Sequence, residues 1–475
     1  MNIILIVIDA LRAKNLGCYG FKEKISPNID KLAKNGVLFE NAFSCTVVTI
    51  PSLTSIFSGM YPISHGIIRQ HYTQQDVSTL NSLKIKFLPE ILHSMGYTTL
   101  ALDWIGNWLK RGYDFYYGMP KSKVVETSVF KKALQIVSYV PPPVYNLIKS
   151  VWRRIHSNVL RVTSIENAEA FTNLAVNLIR ENSNNEFFLF IHYWDTHIPY
   201  NAPEDFIEPV DEGKDIKIEK ILGEIANPQK KTKIRSFTKG LKTANELIAK
   251  YYGAIRYVDY QIGVLLDALK DMDILDDTLI VLTSDHGESL IEHEIYFSHH
   301  GLYDETIRVP LIFSGPRIPR GKRIANLVQH VDIMPTILDM LRIKSDKVTL
   351  DGKSLVPLLL EEDKLIKPAI YVEEADLERK LAIRTTNYKY IYAPSKSEAV
   401  CRECGRIHGA LEELYDLQKD PSENHNIAEF QPEIVKNLKN NLFTWLKYMS
   451  KKREKRMIKA KIEYLMQKRE YKNKR

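Results

Sequence analysis

The chain opens on Asn2-Ile-Ile-Leu-Ile-Val-Ile8, a run with no polar face, closed by a carboxylate, Asp9. The run is too short to span a bilayer. It lacks the alternation of a half-exposed strand, so it reads as a strand buried on both faces of a helix-covered parallel sheet. Similar runs recur at 187–192, 279–284 and 309–313, with helical patterns between them, notably over 251–269. Strands alternating with helices predict an α/β fold, a mostly parallel central sheet sandwiched by helices. Further helices are expected around 26–35, opened by Ser26-Pro27, and from Pro51 to near Gly59. In such sheets the chemistry gathers at the carboxyl ends of strands. Asp9, the stretch from His192 to His197, and Asp285-His286 all stand at such ends, which points to one shared site.

At 475 residues the chain exceeds one small core. The pattern changes after about residue 365, where 369–372, 381–384 and 388–393 read as short strands and 432–447 as a helix. We therefore expect a catalytic domain over 1–365, a smaller C-terminal α+β domain over 366–448 and a basic tail over 449–475. Residues 120–165 and 204–245 read as insertions, either surface decoration or a lid or membrane-surface helix. The net charge of +8 is uneven: residues 447–475 hold 13 Lys/Arg against 3 Glu, about +10, leaving about −2 elsewhere. A body of that charge argues against nucleic acid, and the tail offers a route to peripheral membrane contact. No secretory signal or spanning segment is apparent, so the expected location is cytoplasmic, peripheral to a membrane at most. The sequence does not set the oligomeric state. Of the four cysteines, Cys401 and Cys404 form a lone CxxC. A zinc site needs a second ligand pair, which His408 alone does not complete, so a local disulfide or two free thiols is expected over a structural metal.

Cleaving a sulfate or phosphate ester needs an anionic nucleophile, positive charge at the equatorial oxygens and an acid for the leaving oxygen. One divalent cation on carboxylate and imidazole ligands serves the first two needs. Asp285-His286, at the end of an apolar strand and followed by Gly287, is the strongest local signal for such ligands. Asp9 is similar, since a carboxylate there is desolvated without a cation. Thr49 precedes Ile50-Pro51-Ser52 and a helical segment; read alone it is an N-cap, but its hydroxyl also stands where a helix dipole favours an anionic oxygen. His197, His299 and His300 are candidates to bind an anion or deliver a proton.

Motifs in a familiar order run along most of the chain: Asn2–Arg12, Leu16-Gly-Cys-Tyr-Gly20, Ser26–Ala33, Tyr252–Asp259, Thr283-Ser-Asp-His-Gly-Glu288, Tyr303–Ile312, Val331–Thr336, Leu350–Leu355 and Glu413–Leu417 with Asp420-Pro-Ser-Glu423. On them the chain resembles the sulfatases of the alkaline-phosphatase superfamily. The resemblance implies an alkaline-phosphatase-like sheet between helices with a smaller C-terminal sheet domain. It implies hydrolysis of a sulfate or phosphate/phosphonate ester, with the ester as the binding partner. The common Cys-x-Pro-Ser-Arg motif, whose cysteine becomes formylglycine, is here Thr49-Ile-Pro-Ser-Leu53, and Cys45 is out of register. The paired aspartates after the first strand are Asp9-Ala10, and His299-His300 replace an expected lysine. These departures resemble the single-metal, threonine-nucleophile site of phosphoethanolamine transferases and lipoteichoic acid synthases. That resemblance implies Asp9, Thr49, Asp285 and His286 around one divalent ion (Mn, Zn or Ca). Thr49 would be the nucleophile, His197 and His300 would bind the transferred group or protonate the leaving oxygen, and His299 and Arg12 would assist at the substrate. Threonine favours phosphate or phosphonate over sulfate. The alternative is a phospho-group transferase acting on a lipid or sugar at a membrane surface.

Overall fold

The computed structural model describes residues 1–103, 105, 110–118, 167–213, 215–344, 348–360 and 367–473, with side chains described to residue 462. The expected insertion over 120–165 lies outside the described residues. The large sheet has eight strands: β1 (Asn2–Ile8), β2 (Val37–Phe43), β3 (Thr98–Asp103), β4 (Phe115–Gly118), β5 (Phe187–Tyr193), β6 (Thr278–Thr283), β7 (Leu311–Ser314) and β8 (Lys322–Gln329). Their spatial order is β4-β3-β5-β1-β6-β7-β2-β8. All pairings are parallel except those of β7, which runs antiparallel to both β6 and β2.

The run that opens the chain lies at the centre of this sheet. Ile4, Ile6 and Ile8 face one apolar layer, with the helices Ala168–Asn182 and Ala244–Asp271, while Ile3, Leu5 and Val7 face the other, with the helices Thr49–Ser58 and Ile333–Met340. Two-residue periodicity sends alternate side chains to opposite faces, so apolar residues at every position need cover on both. β1 pairs Val7 with His192 on one side and with Thr283 on the other. The carboxyl ends of β5, β1 and β6 therefore finish level.

The helix expected to follow Pro51 begins two residues earlier, at Thr49. Ser52 N–H donates to Val48 O at 3.0 Å and closes the first turn; Pro51 lies within that turn, where its missing N–H costs nothing.

A second, antiparallel sheet holds β9 (Ile370–Glu374), β10 (Lys380–Arg384), β11 (Tyr388–Tyr392) and β12 (Glu412–Asp416), in the order β12-β11-β10-β9. The terminal helix covers it through Leu438 and Leu442, against Ile383, Tyr390 and Leu414. That helix does not stop near residue 447 but runs Pro432–Asn473. Met449 and Trp445 pack on Cys45, Tyr61 and Val331, and Lys452 and Arg456 pair with Asp351 at 2.6 and 3.0 Å. Part of the basic tail thus has an internal acidic partner. Among the described residues no helix is long and apolar enough to cross a membrane.

Candidate active site

Asp9 leaves β1 into a tight turn. Ala10 adopts positive φ (55°), and its N–H donates to Asp285 Oδ1 at 3.1 Å while Tyr251 Oη–H donates to its carbonyl at 2.8 Å. A non-glycine residue in the left-handed region persists only where its surroundings hold it, and here the neighbours fix Asp9 against Asp285. From β6, Asp285 and His286 enter the same space. His286 Nε2 lies 3.2 Å from Asp285 Oδ2, 3.8 Å from Asp9 Oδ1 and 3.2 Å from Thr49 Oγ1. All four residues are buried.

The tautomer of His286 is set by its neighbour. Its Nδ1 sits 2.8 Å from Gly287 O, so Nδ1 carries the proton it donates there. Nε2 then faces two carboxylates and a hydroxyl. Both Asp9 carboxylate oxygens and Asp285 Oδ2 lack any hydrogen-bond partner. Buried carboxylate oxygens without partners are costly unless a positive charge meets them. Burial and then repulsion from Asp285 raise the Asp9 carboxyl above the usual range. Burial also opposes ionisation of Asp285, but the charges of His286 and His192 and two backbone N–H groups outweigh it and lower its pKa. Two oxygen donors and one imidazole nitrogen, mutually within 4.8 Å, fit a divalent cation.

Thr49 stands in the first turn of its helix, on the side of Asp285. Ser52 Oγ–H donates to Asp285 O at 2.6 Å, which ties the helix to the β6 end. Cys45 lies in an apolar cluster with Tyr61, Val331 and Met449, where burial pushes its thiol up to about 12.

Around these groups the structure separates the remaining candidates. His197 stacks on Trp194 with ring centroids 4.0 Å apart, and its Nδ1 lies 2.8 Å from Ile198 O. His299 stacks on His286 at 4.4 Å and stands 5.8 Å from His197. Burial lowers both imidazoles, His299 to about 3 with the neighbouring charge of His286 adding to the effect. His300 does not join them. Its two nitrogens are engaged by Ser298 Oγ at 2.9 Å and Cys401 Sγ at 3.3 Å. Arg12 is also committed elsewhere: its guanidinium binds Glu292 at 2.6 and 3.4 Å.

Two residues complete the arrangement: one that the sequence placed at a strand end without a role, and one that it did not mark. His192, at the end of β5, places Nε2 3.5 Å from Asp9 Oδ2 and Nδ1 2.9 Å from Asp103 Oδ1. Asp103, at the end of β3, also accepts from Tyr116 Oη. Burial opposes charge on His192, but the hydrogen bond to Asp103 and the nearby Asp9 carboxylate prevail and raise it to about 10. His192 had a visible signal, as a polar residue closing an apolar run. Asp103 had none, because β3 lacks such a run.

A cleft of about 490 Å³ lined by Lys31, Asp267, Lys270, Arg317 and Arg320 lies where β6 begins, at Thr278. It is at the opposite end of β6 from Asp285, so we do not assign it to the reaction.

The sulfatase family profile matches residues 1–343, and the C-terminal profile of N-sulphoglucosamine sulphohydrolase matches 292–451. The chain belongs to the sulfatase family. It is a hydrolase of the sulfuric or phosphoric ester class. Similar sulfatases include human iduronate 2-sulfatase, 24% identical over 90% of this chain and 91% of the relative. The arylsulfatase of Clostridium perfringens is 26% identical over 90% of both chains. The crystal structure of the phosphonate monoester hydrolase of Agrobacterium radiobacter superposes with a TM-score of 0.67 at 20% identity, covering 94% of this chain and 96% of that one. This likeness shows the alkaline-phosphatase-like fold, with its mostly parallel sheet and small C-terminal sheet.

Proposed function

We propose that this sulfatase hydrolyses a sulfate, phosphate or phosphonate ester through a covalent intermediate on Thr49, with one divalent cation held by Asp9, Asp285 and His286. The observation that carries the reading is the convergence on His286 Nε2 of Thr49 Oγ1 and carboxylate oxygens that lack hydrogen bonds. When bound, the cation would acidify the Thr49 hydroxyl and neutralise charge on the ester oxygens. Thr49 Oγ attacks the sulfur or phosphorus, and the bond to the leaving oxygen breaks as the new bond forms. The helix behind Thr49 places the positive end of its dipole at the attacking oxygen. His192, held by Asp103, braces Asp9 from behind.

With its Nδ1 proton held by Ile198 O, His197 offers Nε2 to accept or return a proton. His299, beside it, replaces His300 as the second imidazole, because both nitrogens of His300 are taken. Water then adds to the Thr49 ester, frees the sulfate, phosphate or phosphonate anion and regenerates the hydroxyl. Relatives named for sulfated substrates and a structural neighbour named for phosphonate monoesters support both ester classes.

The test is turnover of an aryl sulfate, a phosphate monoester, a phosphate diester and a phosphonate ester with manganese, zinc and calcium in turn. We expect one class to be hydrolysed. Thr49→Ala should lose at least about 10³-fold in kcat, as expected for loss of a nucleophile, and Thr49→Ser should recover part of it. Full activity in Thr49→Ala would sink the mechanism.

A further inference from the structure

Away from Thr49 the structure gathers a second set of soft ligands. Cys401 and Cys404 lie on the loop between β11 and β12, and His408 follows in the same turn. Cys404 Sγ is 2.9 Å from His408 Nε2. The ligand the sequence reading lacked comes from about one hundred residues upstream: His300 Nε2 lies 3.3 Å from Cys401 Sγ. The ligand atoms of His300, Cys401 and His408 all lie within 4.8 Å of one another, and these three residues are buried. Tetrahedral zinc, with about 2.3 Å to sulfur and about 2.0 Å to nitrogen, sets sulfur and nitrogen ligands roughly 3.5 Å apart. The observed spacings are close to that.

The surroundings are built as metal ligands require. Glu403 N–H points at Cys401 Sγ (3.4 Å), stabilising negative charge on sulfur. Gly405 takes positive φ (74°) and donates its N–H to Cys401 O at 2.8 Å; Cys401 N–H donates to Arg406 O at 2.8 Å, closing a tight knuckle. His300 directs Nδ1 to Ser298 Oγ, and Ser298 Oγ–H donates to Glu403 Oε2 at 3.1 Å. A ligating imidazole usually anchors its other nitrogen in such a chain, ending on a carboxylate. Cys401 and Cys404 are free thiols.

We propose that Cys401, Cys404, His408 and His300 form a structural Cys₂His₂ zinc site, separate from the cation site at Asp9. Thiolate and imidazole select zinc over manganese or calcium, whereas the oxygen-rich set at Asp9 does not. The site would join three parts of the chain. His300 adjoins His299, which stacks on His286. The knuckle belongs to the C-terminal domain, and its carbonyls at Cys404 and Glu403 accept from Ala226 and Asn227 of the 204–245 insertion at 3.3 and 3.1 Å. Zinc there would hold His299 in the active site.

Zinc per chain is measured by mass spectrometry on the full chain, for wild type, C401S/C404S and D9N/D285N. We expect C401S/C404S to lose one equivalent that D9N/D285N retains. The cobalt-substituted wild type should show a thiolate-to-cobalt charge-transfer band, and a mercurial thiol reagent should release one zinc into a metallochromic dye. These two measurements decide the question even if C401S/C404S does not fold. Unchanged zinc in C401S/C404S, no charge-transfer band, or a native mass two hydrogens light from a Cys401–Cys404 disulfide would each overturn the proposal.

Discussion

Arg12 sits next to the turn that carries Asp9, and its sequence position suggests an anion ligand. The structure instead binds it to Glu292, whose carboxylate also accepts from the N–H groups of Leu290 and Ile291 at 2.9 and 3.2 Å. Arg12 is 2% exposed and Glu292 26%. Burial works against the Glu292 charge, but the Arg12 guanidinium overrides it and pulls the carboxyl down to about 2. Against an ordinary value near 4.5, that shift converts to a ceiling of about 3 kcal/mol. Partial exposure of Glu292 discounts it to roughly 2 kcal/mol.

Arg12→Met removes the guanidinium and leaves Glu292 with Lys14, and the buried Glu305 with Lys14 and His293. Breaking a buried pair from one side costs about 3–5 kcal/mol, so after the same discount we expect about 2–4 kcal/mol. Urea unfolding of Arg12→Met, Glu292→Gln and the double variant at pH 7 gives the coupling, expected near 2 kcal/mol. The folded-state pKa of Glu292 is depressed. Its contribution is therefore complete above pH 4.5 and is lost as pH falls towards 2. Wild type should lose stability over that window more steeply than Glu292→Gln. KM of Arg12→Met should stay at the wild-type value. A cost below about 1 kcal/mol together with a raised KM would show that Arg12 meets substrate and that this reasoning is wrong.

Two further predictions concern groups behind the site and beneath the tail. His192→Ala removes the imidazole that braces Asp9; metal affinity at the Asp9 site, measured by titration calorimetry, should fall about 10–100-fold, and an unchanged affinity would remove His192 from the site's support. Asp351→Asn removes the charge that Lys452 and Arg456 share. It should cost about 1–3 kcal/mol and speed proteolytic cleavage after Lys451 or Lys452. The Asp351 carboxyl is lowered: burial opposes, and the hydrogen bond from Lys452, the neighbouring Ser64 hydroxyl and the Arg456 charge prevail. The stabilisation is therefore lost as pH falls below the ordinary aspartate range. Equal cleavage of variant and wild type at pH 7 would count against docking of the tail.

The sequence alone determined the central strands of the sheet and the polar residues that end them. Runs such as Ile3–Ile8 and Phe187–Ile191 have no polar position, so only a strand covered on both faces accommodates them, and the polar residue that ends each run falls at the sheet's carboxyl edge. Local patterns say less about strands whose partners supply the burial. β2, β3 and β8 mix polar residues into their runs, and with β3 the Asp103 that holds His192 went unseen. The antiparallel course of β7 was hidden too, since a fully buried strand has the same composition in either direction.

Tertiary structure alone decided what each of two adjacent histidines meets. His299 and His300 are equivalent in sequence, but consecutive side chains in an extended segment point to opposite sides. One stacks on His286 and the other meets Cys401. The same holds at the helix Pro27–Lys34. Ser26-Pro27 marks its start in the sequence, yet Ser26 Oγ donates to Asp30, and the first N–H groups at Asn28 and Ile29 donate to Asp259, more than two hundred residues away. Spacing along the chain marks groups that can cap, ligate or pair. Which of them do so depends on where the sheet and its covering helices bring distant donors and acceptors together.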